Sequence, residues 1–273
     1  MISLPFASAL AAAILSTSFI SGIFGMAGGM ILMGILLFMM PLAAAMVLHG
    51  LTQMASNAWR AWLWRSHIMW PIAAQYAAGA LVAAAVFALV QLTPSKAVAL
   101  IILGLTPCVG MLLPRRFAPD IKRRGQGFGC GLICTMLQLL AGVSGPLLDV
   151  FFVRSNLDRR QMVATKASIQ VLGHFLKVAY FGPLLLMGTA DGVAPAAVVL
   201  AIALAICGTQ LSRGVLDAIS DAQFRTWSRG VIAAVAAVYL IQGVFLLVSE
   251  RGTAAAIAAP SVAVSVAGPE RVR

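Results

Sequence analysis

The stretch GIFGMAGGMIL, residues 22–32, carries four glycines within an N-terminal segment, residues 1–48, that has no Asp, Glu, Lys, Arg or His. Each glycine in a helix interior costs about 1 kcal/mol relative to alanine. A second apolar segment contains AGVSGPLLDVFF, residues 141–152, with two more glycines and a proline. Two such interruptions predict helices that are broken where the chain would otherwise continue as an apolar helix.

The composition places the chain in the membrane. Of its 273 residues 61% are hydrophobic and only 10% are charged, whereas soluble domains contain about 25% charged residues. A helical span needs roughly 20 apolar residues, which predicts an all-α membrane protein. The clear candidate spans are residues 43–64, 68–91, 96–114, 160–187, 193–211 and 226–249, and the two interrupted stretches are residues 4–40 and 126–153.

Several classes of protein are disfavoured by what the sequence lacks. The four cysteines, Cys108, Cys130, Cys134 and Cys207, include no CxxC pair, so neither a zinc site, a disulfide framework nor another cofactor is indicated. The net charge of +11 comes from basic loops between apolar segments, and membrane topology accounts for it better than nucleic-acid binding. There is no P-loop, HExxH or GxSxG motif, which argues against an ATP-driven pump and an enzyme.

An internal duplication is indicated when the sequence is shifted by 117 residues. The shift aligns Gly25, Gly28 and Gln53 with Gly142, Gly145 and Gln170, and it aligns His49, Asn57 and Arg60 with Lys166, His174 and Lys177. The predicted organisation is a first transmembrane repeat (1–114), a basic cytoplasmic linker (115–125), a second repeat (126–250) and a flexible tail (251–273). Repeats with interrupted helices at matching positions are typical of transporters, whose substrate site lies between the repeats.

The distribution of basic residues favours one topology. If all eight apolar segments span the membrane, Lys and Arg divide 10 to 7 between the two sides; if both broken segments re-enter, they divide 13 to 4. The positive-inside rule favours the second arrangement. Each repeat then has one glycine-broken, re-entrant helix and three transmembrane helices, and the odd number of crossings inverts the second repeat.

Two polar stripes follow the breaks. His49, Gln53, Asn57 and Arg60 have the same i, i+4, i+8, i+11 spacing as Lys166, Gln170, His174 and Lys177, which places each set on one narrow helix face. Ionisable residues within spans usually face a cavity and carry function. We therefore predict an anion site that includes both stripes, with Arg60 and Lys177 interpreted as snorkelling towards an interface.

The break residues complete the predicted site. Unpaired N–H groups at interrupted helices favour anions, so the predicted ligands also include Gly25, Gly28, Gly29, Ser144 and Gly145. The alternative is that the glycines only allow close helix packing. His49 either lines the site or hydrogen-bonds a neighbouring helix. Asp149 is either the counter-ion of Lys166 or a hydrogen-bond acceptor on the helical arm that follows the second break.

Lys166 and His174 also predict proton coupling. Histidine has an unperturbed pKa of about 6.5 and changes charge near physiological pH. An anion in the site favours the protonated forms of both side chains, so the binding of anion and proton would strengthen each other.

The residues quoted so far carry a resemblance to a known family. SGIFGMAGGMILMGILL (residues 21–37) and LAGVSGPLLDVFFVRSNLDRRQMVATKASIQVLGHFLKVAYFG (residues 140–182) resemble the sulfite exporter TauE/SafE family. The resemblance implies a duplicated helical bundle in the bacterial inner membrane that exports small anions such as sulfite or sulfoacetate. Gly25, Gly28 and Gly29 match the family's first break, whereas Ser144 and Pro146 replace glycines that are common in the second.

The expected function is thus secondary transport of a small anion, bound near the membrane midplane between the repeats. Transport of short carboxylates is an alternative, and an intramembrane enzyme is a more distant one. The sequence leaves the oligomeric state open.

Overall fold

The computed structural model describes residues 4–24, 26–187, 195–212, 214–215 and 221–258. Within these ranges the chain forms ten α-helices and no β-strand, so the predicted all-α class is confirmed. The helices are α1 (Leu4–Phe24), α2 (Met26–Met39), α3 (Leu42–Leu63), α4 (Trp70–Val90), α5 (Lys96–Leu112), α6 (Gln126–Ala141), α7 (Gly145–Phe152), α8 (Arg159–Met187), α9 (Pro195–Leu211) and α10 (Asp221–Ala258).

Each of the six predicted spans corresponds to one helix. Four helices contain a segment long and apolar enough to cross a bilayer, namely α1, α4, α8 and α10, and α2, α5, α6 and α9 are shorter apolar helices. Large apolar side chains project outward, with Leu89 exposed by 85% and Phe245 by 71%, as expected for surfaces in contact with lipid. Helix α10 continues to Ala258, into the segment predicted to be a flexible tail; residues 259–273 lie outside the described part.

Two helix pairs of the bundle are antiparallel. Gly50 near the start of α3 faces Lys177 in the second half of α8. The backbone N–H of Met69, just after α3, binds the hydroxyl of Thr165 near the start of α8. The α5–α10 pair is similar, because Gly104 faces residues 236–240 while Gly243 faces residues 97–101.

Two outer pairs are parallel and pack through glycine. On α1 and α9, residues 7–14 line the same small cleft as residues 197–204, and Gly208 lies against the α1 backbone at Leu15. On α4 and α6, Gly79 lies against the backbone at Phe128. A side chain at either glycine would collide with the neighbouring backbone, so these positions bring the helices close together.

The chain turns sharply at both interrupted segments. Helix α2 folds back on α1, since a Cβ atom built on Gly28 would lie 2.0 Å from the carbonyl oxygen of Thr17. Helix α6 ends at Ala141, and Gly142 takes a left-handed conformation with φ of +81°. Ser144 is the N-cap residue of α7. Gly25 lies outside the described residues.

Basic loops meet at one end of the molecule. The guanidinium of Arg154, after α7, donates to the carbonyl oxygens of Arg116 and Ala118 in the linker before α6, both at 3.0 Å. Arg160 lies 5.4 Å above the ring of Trp64, which follows α3. The loops after α3, before α6 and after α7 are therefore neighbours.

Candidate functional site

Side chains from three helices and from the N-cap residue of a fourth form a buried polar group, here called the inner cluster. It consists of His49 on α3, Lys177 and His174 on α8, Gln138 on α6 and Ser144 at the start of α7, all less than 5% exposed. Because α3 and α8 are antiparallel, His49 at the start of the α3 stripe lies against His174 and Lys177 at the end of the α8 stripe. The cluster therefore lies where the two predicted halves meet.

His49 and Lys177 join the two interrupted segments. The Nε2 atom of His49 lies 2.8 Å from the carbonyl oxygen of Gly29 and donates to it. Its Nδ1 atom lies 2.7 Å from Nζ of Lys177, which also donates to the carbonyl oxygen of Gly142 at 2.9 Å. A continuous chain of hydrogen bonds thus runs from one interrupted segment to the other through two side chains.

Lys177 is 0% exposed. Burying an ammonium group costs several kcal/mol unless it is paired. Among the described residues the ion pair found is Lys166–Asp149, and Lys177 has only neutral partners. Gly142 caps the C-terminus of α6, where the helix dipole favours a cation, but its carbonyl and the imidazole of His49 supply no negative charge to an ammonium group at Lys177.

A second branch of the cluster contains His174. The Nε2 amide of Gln138 donates to Nδ1 of His174 at 2.9 Å, and the hydroxyl of Ser144 donates to Oε1 of Gln138 at 2.7 Å. The ring centroids of His174 and His49 are 5.6 Å apart. Ser144 occupies the N-cap position of α7, but its side chain binds Gln138 instead of a backbone N–H.

Gln53 and Asn57 follow His49 along the same helix, α3. Gln53 is 5% exposed, and its Nε2 atom is buried without a hydrogen-bond partner. Its Oε1 atom would lie 3.1 Å from a Cβ atom on Gly29, so Gln53 packs directly on the start of α2. Asn57 donates to the carbonyl oxygen of Gln53 within α3.

Lys166 lies elsewhere on α8 and forms an ion pair with Asp149 of α7, here called the outer pair. Its side chain is 21% exposed and that of Asp149 is 44% exposed. Eleven residues separate Lys166 from Lys177, which is about 16 Å along a helix. Asp149 is therefore the counter-ion of Lys166. The α8 stripe divides between two places: His174 and Lys177 belong to the inner cluster, and Lys166 belongs to the outer pair.

The remaining predicted ligands take no part in the inner cluster's hydrogen bonds. Gln170 is partly buried on α8. Gly28 lies in the α1–α2 contact, as the packing alternative expects. Gly145 begins α7. Whether Gly25, Gly28, Gly29, Gln53, Asn57, Lys166, Gln170 or the others contact a substrate stays a prediction.

One interpretation is wrong. Lys177 was expected to snorkel towards an interface, but it is fully buried and central to the cluster. Gln138 was missed altogether. The sequence feature that could have indicated Gln138 is its place as a single amide side chain near the end of an apolar helix, four residues before Gly142.

One cleft lies away from these groups. It has a volume of about 490 Å³ and lies between α2 and α10, lined by apolar residues such as Ile31, Ile35 and Val238. Such a cleft faces lipid in a membrane protein and offers little to an anion. Within the described ranges, no group of three or more His, Cys, Asp or Glu side chains is arranged to hold a metal ion.

Comparison with known proteins gives one match. Residues 9–240 match the model of the family described as Sulfite exporter TauE/SafE. No curated protein and no solved structure matches the chain.

Proposed function

Since the chain belongs to the sulfite exporter TauE/SafE family, a family of multi-pass membrane transporters, we propose that it is a secondary transporter that exports small anions. The proposed cargo is sulfite or an organosulfur anion such as sulfoacetate. Short carboxylates are the alternative cargo. An intramembrane enzyme is a weaker alternative, because family membership implies transport.

The observation that carries this proposal is the environment of Lys177. A buried ammonium with a carbonyl and an imidazole as partners has a charge that a small anion would compensate. The site lies near the middle of α8, between the two interrupted segments. Modest movements of α2 or α7 would let a substrate reach it from either side of the membrane. We place the anion between Lys177, His49, His174, Gln138, Ser144 and Gln53, with Asn57, Gln170, Lys166 and the break glycines along its path.

Helix directions support inverted repeats. The predicted repeats pair α1 to α5 with α6 to α10 in order, so α3 corresponds to α8 and α5 to α10. Equivalent helices that touch across a twofold axis are antiparallel when the axis lies in the membrane plane and parallel when it is normal to the membrane. Both pairs are antiparallel. The parallel α1–α9 contact likewise has its counterpart in the parallel α4–α6 contact.

The contacts of Arg154 support the re-entrant topology. A segment that enters and leaves the membrane on one side has both ends at that side. Arg154, after α7, binds the linker that precedes α6, as that arrangement requires. With the basic loops inside, the proposed location is the bacterial inner membrane, with the repeats at residues 1–114 and 126–250.

Proton coupling is also proposed. Because Gly29 accepts from Nε2 of His49, only one hydrogen fits between Nδ1 of His49 and Nζ of Lys177, which are 2.7 Å apart. A second proton on this pair must separate the two groups, and an anion between them would compensate the added charge. The binding of anion and proton would then be mutually strengthening.

Solute flux in proteoliposomes tests the proposal. Vesicles that contain the purified protein should release sulfite faster than protein-free vesicles, and an internal pH dye should report proton movement in step with the anion. Release of sulfite, sulfoacetate and short carboxylates at the rates of empty vesicles under every imposed gradient would rule the proposal out. Release without proton movement would remove the coupling alone.

A further inference from the structure

We infer that the chain has a second anion site, formed by Arg60 of α3 and Lys166 of α8 and here called the outer anion site. The carboxylate of Asp149 fills this site until a small oxyanion displaces it. The inference rests on the proposed function, because it assigns the outer anion site to the same class of cargo as the inner cluster.

The packing of α3 against α8 brings the two basic side chains of this site together. Gly50 faces Lys177 across the contact between these helices. Arg60 lies ten residues further along α3, and Lys166 lies eleven residues back along α8, so antiparallel helices place both at the same level. The two cationic groups are close enough for their charges to repel each other.

The outer anion site has more positive charge than its own carboxylate balances. Lys166 forms an ion pair with one carboxylate oxygen, Oδ1 of Asp149. Within the described ranges, the guanidinium of Arg60 has neither a hydrogen bond nor an ion pair, although it is only partly exposed and has five N–H donors. Two cations and one carboxylate leave one positive charge in excess, which attracts an anion.

The proposed repeats relate the outer anion site to the inner cluster. A shift of 117 residues aligns Lys166 with His49 and Arg60 with Lys177. The contact of His49 with Lys177 therefore has a counterpart in the approach of Lys166 to Arg60. Inverted repeats place such equivalent pairs at similar depths on opposite sides of the membrane midplane.

Asp149 is the main chemical difference between the two sites. Its equivalent under the same shift is Leu32, a buried residue, and none of the five side chains of the inner cluster is a carboxylate. The side chain of Asp149 is 44% exposed, and an exposed ion pair contributes little stability. An oxyanion with several oxygens can replace Asp149 on Lys166 and bind the free donors of Arg60 at the same time.

The binding of radiolabelled sulfite to the purified protein counts the sites. The unmodified protein should bind two sulfite ions per chain at saturation. Lys177→Met should lose only the inner site and Arg60→Gln only the outer one, so each variant should bind one ion. The matched control is Arg65→Gln, which should still bind two, because Arg65 is an exposed arginine just after α3. Thermal unfolding verifies that each variant is folded.

Substitution of Asp149 tests the displacement. Asp149→Asn removes the competing carboxylate and should tighten sulfite binding at the outer anion site by about two- to fivefold, the strength of an exposed ion pair. The comparison is made both in the unmodified protein and in Lys177→Met. Asp120→Asn, in the linker, is the matched control and should leave the affinity unchanged, because the Asp120 carboxylate binds only a nearby backbone N–H.

The outcomes separate this inference from the proposed function. Fewer than two bound sulfite ions in the unmodified protein, or none in folded Lys177→Met, overturns the second site. Two ions bound in Arg60→Gln, or weaker binding in Asp149→Asn, overturns the assignment to these residues. Sulfite flux is measured separately, so that flux with a single bound ion leaves the proposed function standing, whereas two bound ions without flux of any proposed cargo overturn that function alone.

Discussion

Lys166 and Asp149 balance each other's charge in a partly exposed position, whereas Lys177 has only uncharged partners in a fully buried one. The two lysines should therefore contribute to transport in different ways. Lys166 attracts an approaching anion electrostatically, and the negative charge of Asp149 reduces this attraction. Lys177 compensates the anion directly.

Substitutions of the two members of the outer pair should change the KM for sulfite in opposite directions. Lys166→Met leaves Asp149 unpaired and should raise the KM for sulfite several-fold, while Asp149→Asn exposes the charge of Lys166 and should lower it. Both effects should weaken as ionic strength rises, because charges in water are screened. Initial flux against sulfite concentration, at low and high salt, measures this. Changes of the same sign in the two variants would contradict it.

The sequence predicted which residues share a face but not how deep each lies. Spacing placed His49, Lys166, His174 and Lys177 on two narrow stripes, and the structure brings His49, His174 and Lys177 together. Lys177 was misplaced because α8 has 29 residues, more than the roughly 20 that a span requires. Nothing in the sequence of so long a helix fixes where the membrane boundary falls.

At the scale of the helices, Gly142 follows α6 directly in the second interrupted segment, and this glycine allows a matched test. Gly142 and Gly125 both have φ of +81°, a conformation that costs an alanine about 1 kcal/mol. A Cβ atom on Gly142 would lie 2.7 Å from the sulfur of Met33, whereas one on Gly125 would meet no atom within 4 Å.

We therefore expect Gly142→Ala to be destabilised by more than Gly125→Ala, by about 1 to 3 kcal/mol, and to lose transport. Gly125→Ala should show only the backbone cost and retain flux. Thermal unfolding in detergent and flux in vesicles measure the two effects. Equal loss in both variants would show that the close contact with α2 has no role.

Helices were the easiest elements to predict. A run of about 20 apolar residues fixes a helix in a bilayer with little help from tertiary contacts, so the six uninterrupted spans were located within a few residues at most ends. The use of Ser144 was not predictable, because a serine before a helix ordinarily caps it. Here its hydroxyl binds Gln138, which belongs to a different helix.

At the scale of the whole molecule, contacts between the two predicted repeats hold the helices together. The proposed re-entrant topology predicts which loops lie on the same side of the membrane. Lys122→Cys in the linker and Arg159→Cys at the first residue of α8, each in a cysteine-free background, should react with an impermeant thiol reagent only from the cytoplasmic face. Thr93→Cys, in the loop between α4 and α5, should react only from the other face. Labelling of residues 122 and 159 from opposite faces would replace the re-entrant arrangement with eight simple spans.

The central claim is that a buried lysine between the two halves binds the transported anion. Sulfite efflux from proteoliposomes, compared among the unmodified protein, Lys177→Met and the surface control Lys122→Met, tests it most directly, with thermal unfolding to verify that each variant is folded. We predict normal efflux in Lys122→Met and efflux near that of empty vesicles in Lys177→Met. Efflux at the unmodified rate from folded Lys177→Met would contradict the account.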